Sequence, residues 1–331
     1  MTHSLMFHHF HDENHLPSQG SLSSDCFVEM LDWLAQRYKI LSALDYMKKL
    51  ESGSLDERDV CLSFDDNLLC QWDIAVPVLQ ERQIQAFFFV YSSLFLCDRI
   101  LREVSREGWQ QWLDRQPILT NPGFVEIFRY FRTISFDNLE DFYELFSEEV
   151  KANDEHRYLN AQELYKDLDY LLEYPFYTES DKWFRYLRDQ HLGVQDYNQL
   201  MFRLMDAKRF DSVKACEKIW MTEDHLKTLH DEGHMIGLHS FSHPTQMSKF
   251  SRKEQESEYS KNLQHLESVL GKGAVTSMAH PCGNYNEDTL SILKEMGIRI
   301  GFRSSLSVKE IRTSLEIPRD DHANIFREMR K

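Results

Sequence analysis

The chain lacks several things, and each absence narrows what it does. No apolar run approaches the ~20 residues that cross a bilayer. The N-terminus has polar residues and histidines where a secretory signal has a basic patch and an apolar core, so the expected compartment is the cytoplasm. No Cys-x-x-Cys pair occurs among Cys26, Cys61, Cys70, Cys97, Cys216 and Cys282, which read as reduced, mainly buried thiols and not as a disulfide framework. Basic residues are in deficit, 38 against 54 acidic ones, for a formal charge of −16. That balance argues against sequence-independent nucleic-acid binding, which needs clustered Lys and Arg. Internal repeats and low-complexity tracts are also missing. What remains is a globular composition, 42% hydrophobic and 13% aromatic, in a chain of 331 residues, long enough for one large domain or two ordinary ones.

Short apolar runs alternate with helical periodicities. "SLMFHHF" reads as a strand, "DCFVEMLDWLAQRY" as an amphipathic helix capped near Ser24 or Asp25, "KILS" as a short strand and "ALDYMKKLES" as a helix ended by Gly53. "VCLSF" and the very apolar "AFFFVYS" are strands, the latter buried on both faces, with the helix "LCQWDIAVPVLQERQ" between them. The alternation resumes after Trp220. Thr222 caps "EDHLKTLHDEGH", "MIGLH" is a strand, "SRKEQESEYSKNLQHLESVLG" a helix, "TSMAHP" a strand, "NEDTLSILKEMG" a helix capped by Asn286, and "IRIGF" a strand. About seven such units predict an α/β fold, a distorted (β/α)7-type barrel formed by residues 1–95 and 220–331. Residues 96–219 carry helical periodicities such as "LEDFYELFSEEV" and "AQELYKDLDYLLEY" and no convincing strand. They read as a large helical insertion on a strand-to-helix loop, either a lid or substrate-side wall or a separate packing or dimerisation module.

Two segments can carry chemistry. In "LSFDDN", Asp65 and Asp66 follow a strand directly; adjacent carboxylates at a strand tip repel unless a cation or proton sits between them, though one Asp capping the next helix is the plainer alternative. In "GLHSFSHP", His239 and His243 lie four apart at another strand end. If Ser240 starts a helical turn, both rings face one point, and two neutral imidazoles joined by a carboxylate make an open divalent-metal site. A pair of surface histidines in a turn is the bland alternative.

In this order the two segments resemble the polysaccharide deacetylase family, carbohydrate esterase family four of the NodB-homology fold, whose motifs are Thr/Ser-Phe-Asp-Asp-Gly and His-Ser/Thr-x-x-His. "MAHPCGNYNEDTLSILKEMGIRIGF" is similar to that family's third motif region. The resemblance implies one divalent ion, Zn²⁺ before Co²⁺ or Ni²⁺, held by Asp66, His239 and His243. It implies Asp65 as catalytic base, and an oxyanion donor in the backbone N–H of Cys282 after Pro281. Asn67 stands where Gly is usual, and Asn tolerates the left-handed backbone of such a turn. Ala279 stands where many members have an Arg that orients the base. Arg319, in "EIPRDDHANI", is the candidate replacement; its alternative is a surface ion pair with Asp320 or Asp321.

Five histidines, His3, His8, His9, His11 and His15, fall at the start of the chain. The family's C-terminal acid motif, Leu-x-His, is missing, and "LMFHHF" resembles the circularly permuted branch, in which the acid histidine lies on the first strand. The matching residue is His8, an imidazole being suited to proton donation near neutral pH. His9 and His322 are the reserve candidates. His9 and His11 share a strand face and are a candidate second metal site, whereas His225, His230 and His234 read as solvent-facing. The function implied is metal-dependent removal of an N-acyl group, acetyl first, from a small N-acyl amino sugar, as a nucleotide- or lipid-linked intermediate of surface-polysaccharide biosynthesis. The alternatives are hydrolysis of a non-sugar amide or cyclic imide, or an inactive metal-binding barrel serving as a glycan- or partner-binding module. The partner expected is a small sugar, with no nucleic acid and no membrane span, and an oligomer is compatible with the sequence.

Overall fold

The computed structural model describes residues 4–18, 20–95, 124–172, 177–304 and 310–331. The first half of the barrel runs β1 (Ser4–Phe7), α1 (Ser24–Ala35), β2 (Lys39–Ile40), α2 (Ala43–Glu51), β3 (Asp59–Asp65), a π-helical stretch Gln71–Ala75 leading into α3 (Val76–Glu81), and β4 (Phe87–Val90). Helix α1 starts one residue earlier than the sequence suggests. Ser23 is its cap, the hydroxyl accepting from the Cys26 N–H, and Phe27, Met30, Leu31 and Leu34 form the single buried stripe that helical spacing dictates.

A run of helices follows: α4 (Phe124–Ser135), α5 (Leu139–Asn153), α6 (Glu155–Lys166), α7 (Glu179–Tyr186), α8 (Val194–Ala207) and α9 (Ser212–Ile219). No strand occurs among the described residues of this stretch. Residues 124–215 form a compact unit of their own, and the chain from Cys216 onward belongs to the barrel unit. The helical unit is built on aromatic packing. Phe142 meets Phe136, Phe146 and Phe184 at ring distances of 5.4, 5.9 and 5.4 Å, and Phe128 sits edge-on to Tyr197 at 5.5 Å. One expectation fails here. "AQELYKDLDYLLEY" reads as continuous helix, but α6 stops at Lys166, Leu171 is left-handed with φ 55°, and Leu168 and Leu172 face solvent. Asp167 and Asp169 compete with the helix through their own backbone, and those leucines reach no core to compensate.

The barrel resumes with α10 (Glu223–Asp231), β5 (Met235–Leu238), α11 (Arg252–Leu270), β6 (Ser277–Ala279), α12 (Glu287–Glu295), β7 (Ile300–Ser304), β8 (Ile317–Asp321) and α13 (His322–Met329). All strand pairs are parallel, in the order β1-β8-β7-β6-β5-β4-β3-β2, and a further β1–β3 pairing closes every strand but β2 into a ring. The distorted (β/α)7-type barrel expected from the sequence is therefore the fold. The extra strand β2 pairs with Asp59 and Val60 of β3, just before β1 takes over that edge at Cys61. Closure removes the free edges that an open parallel sheet would expose.

The interior is filled by Cys61, Phe87, Phe89, Ala279, Ile300, Phe302 and Ile317, with Tyr46 and Met47 of α2 packed against them. Space is so short that a Cβ on Gly237 would lie 2.5 Å from Ser277 Oγ and 2.7 Å from the Phe89 ring. With the interior full, chemistry is confined to the barrel's rim. The ends of β1, β3, β5 and β6 bring His8, Asp65–Asp66, His239 and Pro281 to the carboxyl-terminal rim, where parallel barrels carry their sites.

Candidate active site

Strand β3 ends in a turn that few side chains tolerate. Asp66 and Asn67 both have left-handed backbone, φ 74° and 56°. The Asn67 side chain donates to the Met221 carbonyl at 3.0 Å, and the Asn67 carbonyl accepts from the Met221 N–H at 3.0 Å. The buried Gln71 amide donates to the carbonyls of Asp65 (2.6 Å) and His8 (2.9 Å), tying together the ends of β3 and β1. These contacts hold a conformation that costs on the order of 1–3 kcal/mol per residue in isolation.

The histidine pair sits on an equally unusual loop, and it is not the helical turn that the spacing suggests. Ser240 and His243 are left-handed, φ 62° and 53°, and Ser240 Oγ accepts from the His243 N–H at 3.0 Å. The fold-back places the two rings 4.7 Å apart. His239 Nδ1 lies 2.9 Å from the Ala279 carbonyl, an acceptor only, so Nδ1 carries the proton and Nε2 offers its lone pair. That Nε2 is 3.6 Å from Asp66 Oδ1, and His243 Nε2 is 3.5 Å from the same oxygen. Burial pushes His239 down to about 4 despite the pull of Asp65, so its ring is neutral at pH 7.

Asp66 Oδ1 is buried and has no hydrogen-bond partner. An ionised oxygen in that position is costly to leave unsatisfied. One carboxylate oxygen and two imidazole nitrogens within 4.8 Å of one another fit a divalent ion, and among the described residues this is the one group of three or more such side chains that does. His9 and His11 join no such group. His11 Nδ1 lies 2.7 Å from Ser21 Oγ, and His15 pairs with Asp73.

Asp65 faces a different partner. Arg319 donates to both its oxygens, Nη1 to Oδ1 at 2.6 Å and Nη2 to Oδ2 at 2.7 Å, and Nη1 also reaches Ser63 Oγ at 3.1 Å. Ser63 and Asp65 share the inward face of β3 by strand alternation, and the guanidinium runs up that face. Arg319 is 1% exposed, so it forms no surface pair. Asp320 instead accepts from Asn324, and Asp321 caps α13. Burial pushes the Asp65 carboxyl up, but Arg319, His239 and His8 pull it well below the usual carboxylate range. His8, one residue past β1, places Nε2 3.7 Å from Asp65 Oδ2 with the ring part-exposed. Register explains this, since Phe7 pairs with Phe64 and the next residues along each strand are His8 and Asp65.

His322, a reserve acid, is buried against Phe7 with Nε2 bonded to the Gly20 carbonyl at 2.7 Å. Burial pushes its pKa down, which leaves it neutral and structural. His234 departs from the solvent-facing expectation. It is 4% exposed, its Nδ1 accepts from the Ala86 N–H at 3.0 Å, and its ring packs on the Phe88 edge. Pro281 and Cys282 form the turn after β6, Cys282 with φ 51° and an exposed side chain. Sequence reasoning missed His280, buried, stacked 4.1 Å from Tyr285 and donating from Nε2 to the Leu315 carbonyl. It also missed Glu258 and Asn262 of α11. Their signal was faint: two polar residues, four apart, on the face that a helix turns inward.

The rim of a parallel barrel thus carries a two-histidine, one-carboxylate group with the donor set of a divalent-metal site, next to an arginine-paired aspartate. Residues 204–301 match the polysaccharide deacetylase family model, a span that contains His239, His243 and Pro281. Over those residues the chain is similar to polysaccharide deacetylases. It is similar in fold to the Streptococcus pyogenes deacetylase PplD solved with acetate, at 14% identity, covering 96% of this chain and 90% of that one with a TM-score of 0.51. A de-N-acetylase from Aggregatibacter actinomycetemcomitans gives 13% identity, 96% and 92% coverage, and a TM-score of 0.52. No curated protein matches the chain by sequence.

Proposed function

We propose that the chain is a metal-dependent hydrolase that removes an N-acyl group, acetyl first, from an amino sugar. The observation that carries the reading is the convergence of Asp66, His239 and His243 beside an Asp65 carboxylate that Arg319 keeps ionised. A divalent ion held by that triad, Zn²⁺ before Co²⁺ or Ni²⁺, supplies Lewis-acid chemistry, polarising the amide carbonyl and acidifying a water. The residues do the rest. Asp65 takes a proton from the attacking water as the O–C bond forms. Arg319 holds both Asp65 oxygens, so the base cannot rotate away. The Cys282 backbone N–H is the donor that the family resemblance assigns to the developing oxyanion. His8 gives a proton to the nitrogen as the C–N bond breaks, so the amine leaves neutral. This is the role of the first-strand histidine in the permuted branch that the sequence resembles.

The reading extends to the substrate and compartment. The five described cysteines, Cys26, Cys61, Cys70, Cys216 and Cys282, are free thiols, which suits a reducing cytoplasm. No described helix is long and apolar enough to cross a membrane. A cytoplasmic N-acyl sugar, nucleotide- or lipid-linked and bound for surface polysaccharide, is the substrate class proposed.

Metal analysis by plasma mass spectrometry, paired with acetate release from N-acetyl sugar nucleotides, tests the reading. About one divalent ion per chain is expected in the native protein and none in H239A. D65N is expected to keep the metal and lose hydrolysis by about 10²- to 10⁴-fold. A metal-free native protein after reconstitution, or full activity in D65N, overturns it; metal retention without hydrolysis of any N-acyl sugar favours a binding module.

A further inference from the structure

We propose that Glu258 and Asn262, one turn apart on α11, are positioning residues of the metal centre, holding the two ligand histidines in register through the backbone between them. The inference rests on the metal reading above. The N–H groups of Phe241 and Ser242 need acceptors outside the β-ladder, because Ser240 and His243 are left-handed and the chain leaves the ladder after His239, whose N–H still donates to the Val90 carbonyl at 3.2 Å. Glu258 Oε2 accepts from the N–H groups of Phe241 (3.0 Å) and Ser242 (2.8 Å), and Glu258 Oε1 accepts from Ser242 Oγ at 2.8 Å. Asn262 Oδ1 accepts from the His239 N–H at 3.0 Å, while its Nδ2 donates to the Val90 carbonyl (2.9 Å) and Ser92 Oγ (2.7 Å) at the end of β4. Both side chains are buried, Glu258 at 2% and Asn262 at 0% exposure.

One helix face thus grips the first ligand's own backbone and the two residues just before the second ligand. Among the described residues, Phe241 N and Ser242 N have no other hydrogen-bond acceptor. Remove Glu258 and two buried N–H groups lose their acceptor in a loop already carrying two strained residues. The loop then relaxes, and ligand nitrogens that must converge to a fraction of an ångström no longer do so. The side-chain chemistry makes the claim specific. Gln at 258 can present Oε1 to both backbone donors and turn its Nε2 toward Ser242 Oγ, which accepts as well as it donates. Ala removes the acceptors, and Leu at 262 keeps the branched outline of Asn but none of its hydrogen bonds.

The test is the Zn²⁺ dissociation constant of the full chain, by competition with a chromophoric chelator, for the native protein, E258Q, E258A, E258D and N262L. The visible bands of the Co²⁺-loaded proteins and the melting of the metal-free forms are read alongside. E258A and N262L are expected to bind Zn²⁺ about 10- to 100-fold more weakly, the usual size for partners that orient metal ligands. Their Co²⁺ bands shift, and E258Q restores both readouts. E258D keeps the charge but shortens the reach, so it weakens binding too and serves if E258A does not fold. A role in fold stability alone would lower the melting point of the metal-free forms and leave the Co²⁺ bands in place. Native-like affinity and bands in E258A or E258D, or an E258Q protein as weak as E258A, overturn the proposal. A native protein that takes up no metal overturns the metal reading itself, an outcome distinct from a native protein that binds while all variants bind equally.

Discussion

The two ends of the barrel meet the same backbone demand in opposite ways. Turns entering the strands need left-handed residues, and most are glycines, Gly53 before β3, Gly233 before β5 and Gly297 before β7, with φ 65°, 90° and 81°, Gln83 before β4 being the exception at 55°. Turns leaving the strands need them too, and there, apart from Gly283, they are Asp66, Asn67, Ser240, His243 and Cys282. Glycine adopts this conformation without a Cβ clash, so the amino-terminal end takes the cheaper residue. At the carboxyl-terminal end the side chains themselves are required, and local strain is held in place by Gln71, Asn67, Glu258 and Ser240. The charges divide likewise. The amino-terminal end has the half-buried pair of Lys49 with Asp59 at 2.6 Å, whereas the carboxyl-terminal end gathers Asp65, Asp66, Arg319, His8, His239 and His243.

The comparison can be broken first at Arg319. R319M leaves the Asp65 charge buried without its cation and should cost about 3–5 kcal/mol by urea unfolding. The double variant D65N/R319M should recover much of that loss, because no buried charge remains. A double variant as unstable as R319M would mean the arginine acts by packing and not by pairing. Next in size is the amino-terminal end. G297A forces Cβ into a left-handed turn and should lower stability by about 1–2 kcal/mol in urea, with metal content unchanged. A metal loss there would show that the two ends are mechanically coupled.

Lys49 gives a pH-dependent test. Burial pushes the Asp59 carboxyl up, but the Lys49 ammonium outweighs it and holds the group below its ordinary value. A depressed carboxyl contributes stability that is present above the unfolded value of about 3.9 and lost as pH falls through the folded one. K49M should therefore be least stable relative to native protein at pH 7, the gap narrowing below about pH 4. A gap that does not change with pH would remove the charge from the explanation. Smallest is C282G, which relieves a left-handed non-glycine residue and should raise stability by about 0.5–1 kcal/mol, read as a small rise in melting temperature. No gain would mean the Cys282 side chain offsets its own strain.

Much of the candidate site was legible because it is local. Asp65–Asp66 and His239–His243 stand at strand tips as contiguous or near-contiguous residues, and strand-to-helix alternation placed both at one rim. Arg319 was legible as a candidate only. Three aspartates were in reach by sequence, and closure of β8 on β1 selected Asp65. His234 was misread because a polar residue after a helix-ending glycine looks exposed, whereas the turn delivers it under β4 against Phe88. Glu258 and Asn262 left only a faint signal because their partners are mostly backbone groups, which carry no sequence signature.

The sequence by itself determined the alternation of strands and helices, the barrel class, and which side chains stand at the strand ends. Those follow from periods of 2 and 3.6 residues and from turn chemistry, all short-range properties. The tertiary structure decided which residues meet. By wedging β1 between β3 and β8 it set His8 beside Asp65, left His11 to Ser21 and His15 to Asp73, and drew Arg319 across the interior to Asp65. The physical reason is register. A parallel ring fixes the height of each strand against its neighbours, and only that height brings distant side chains within hydrogen-bond reach.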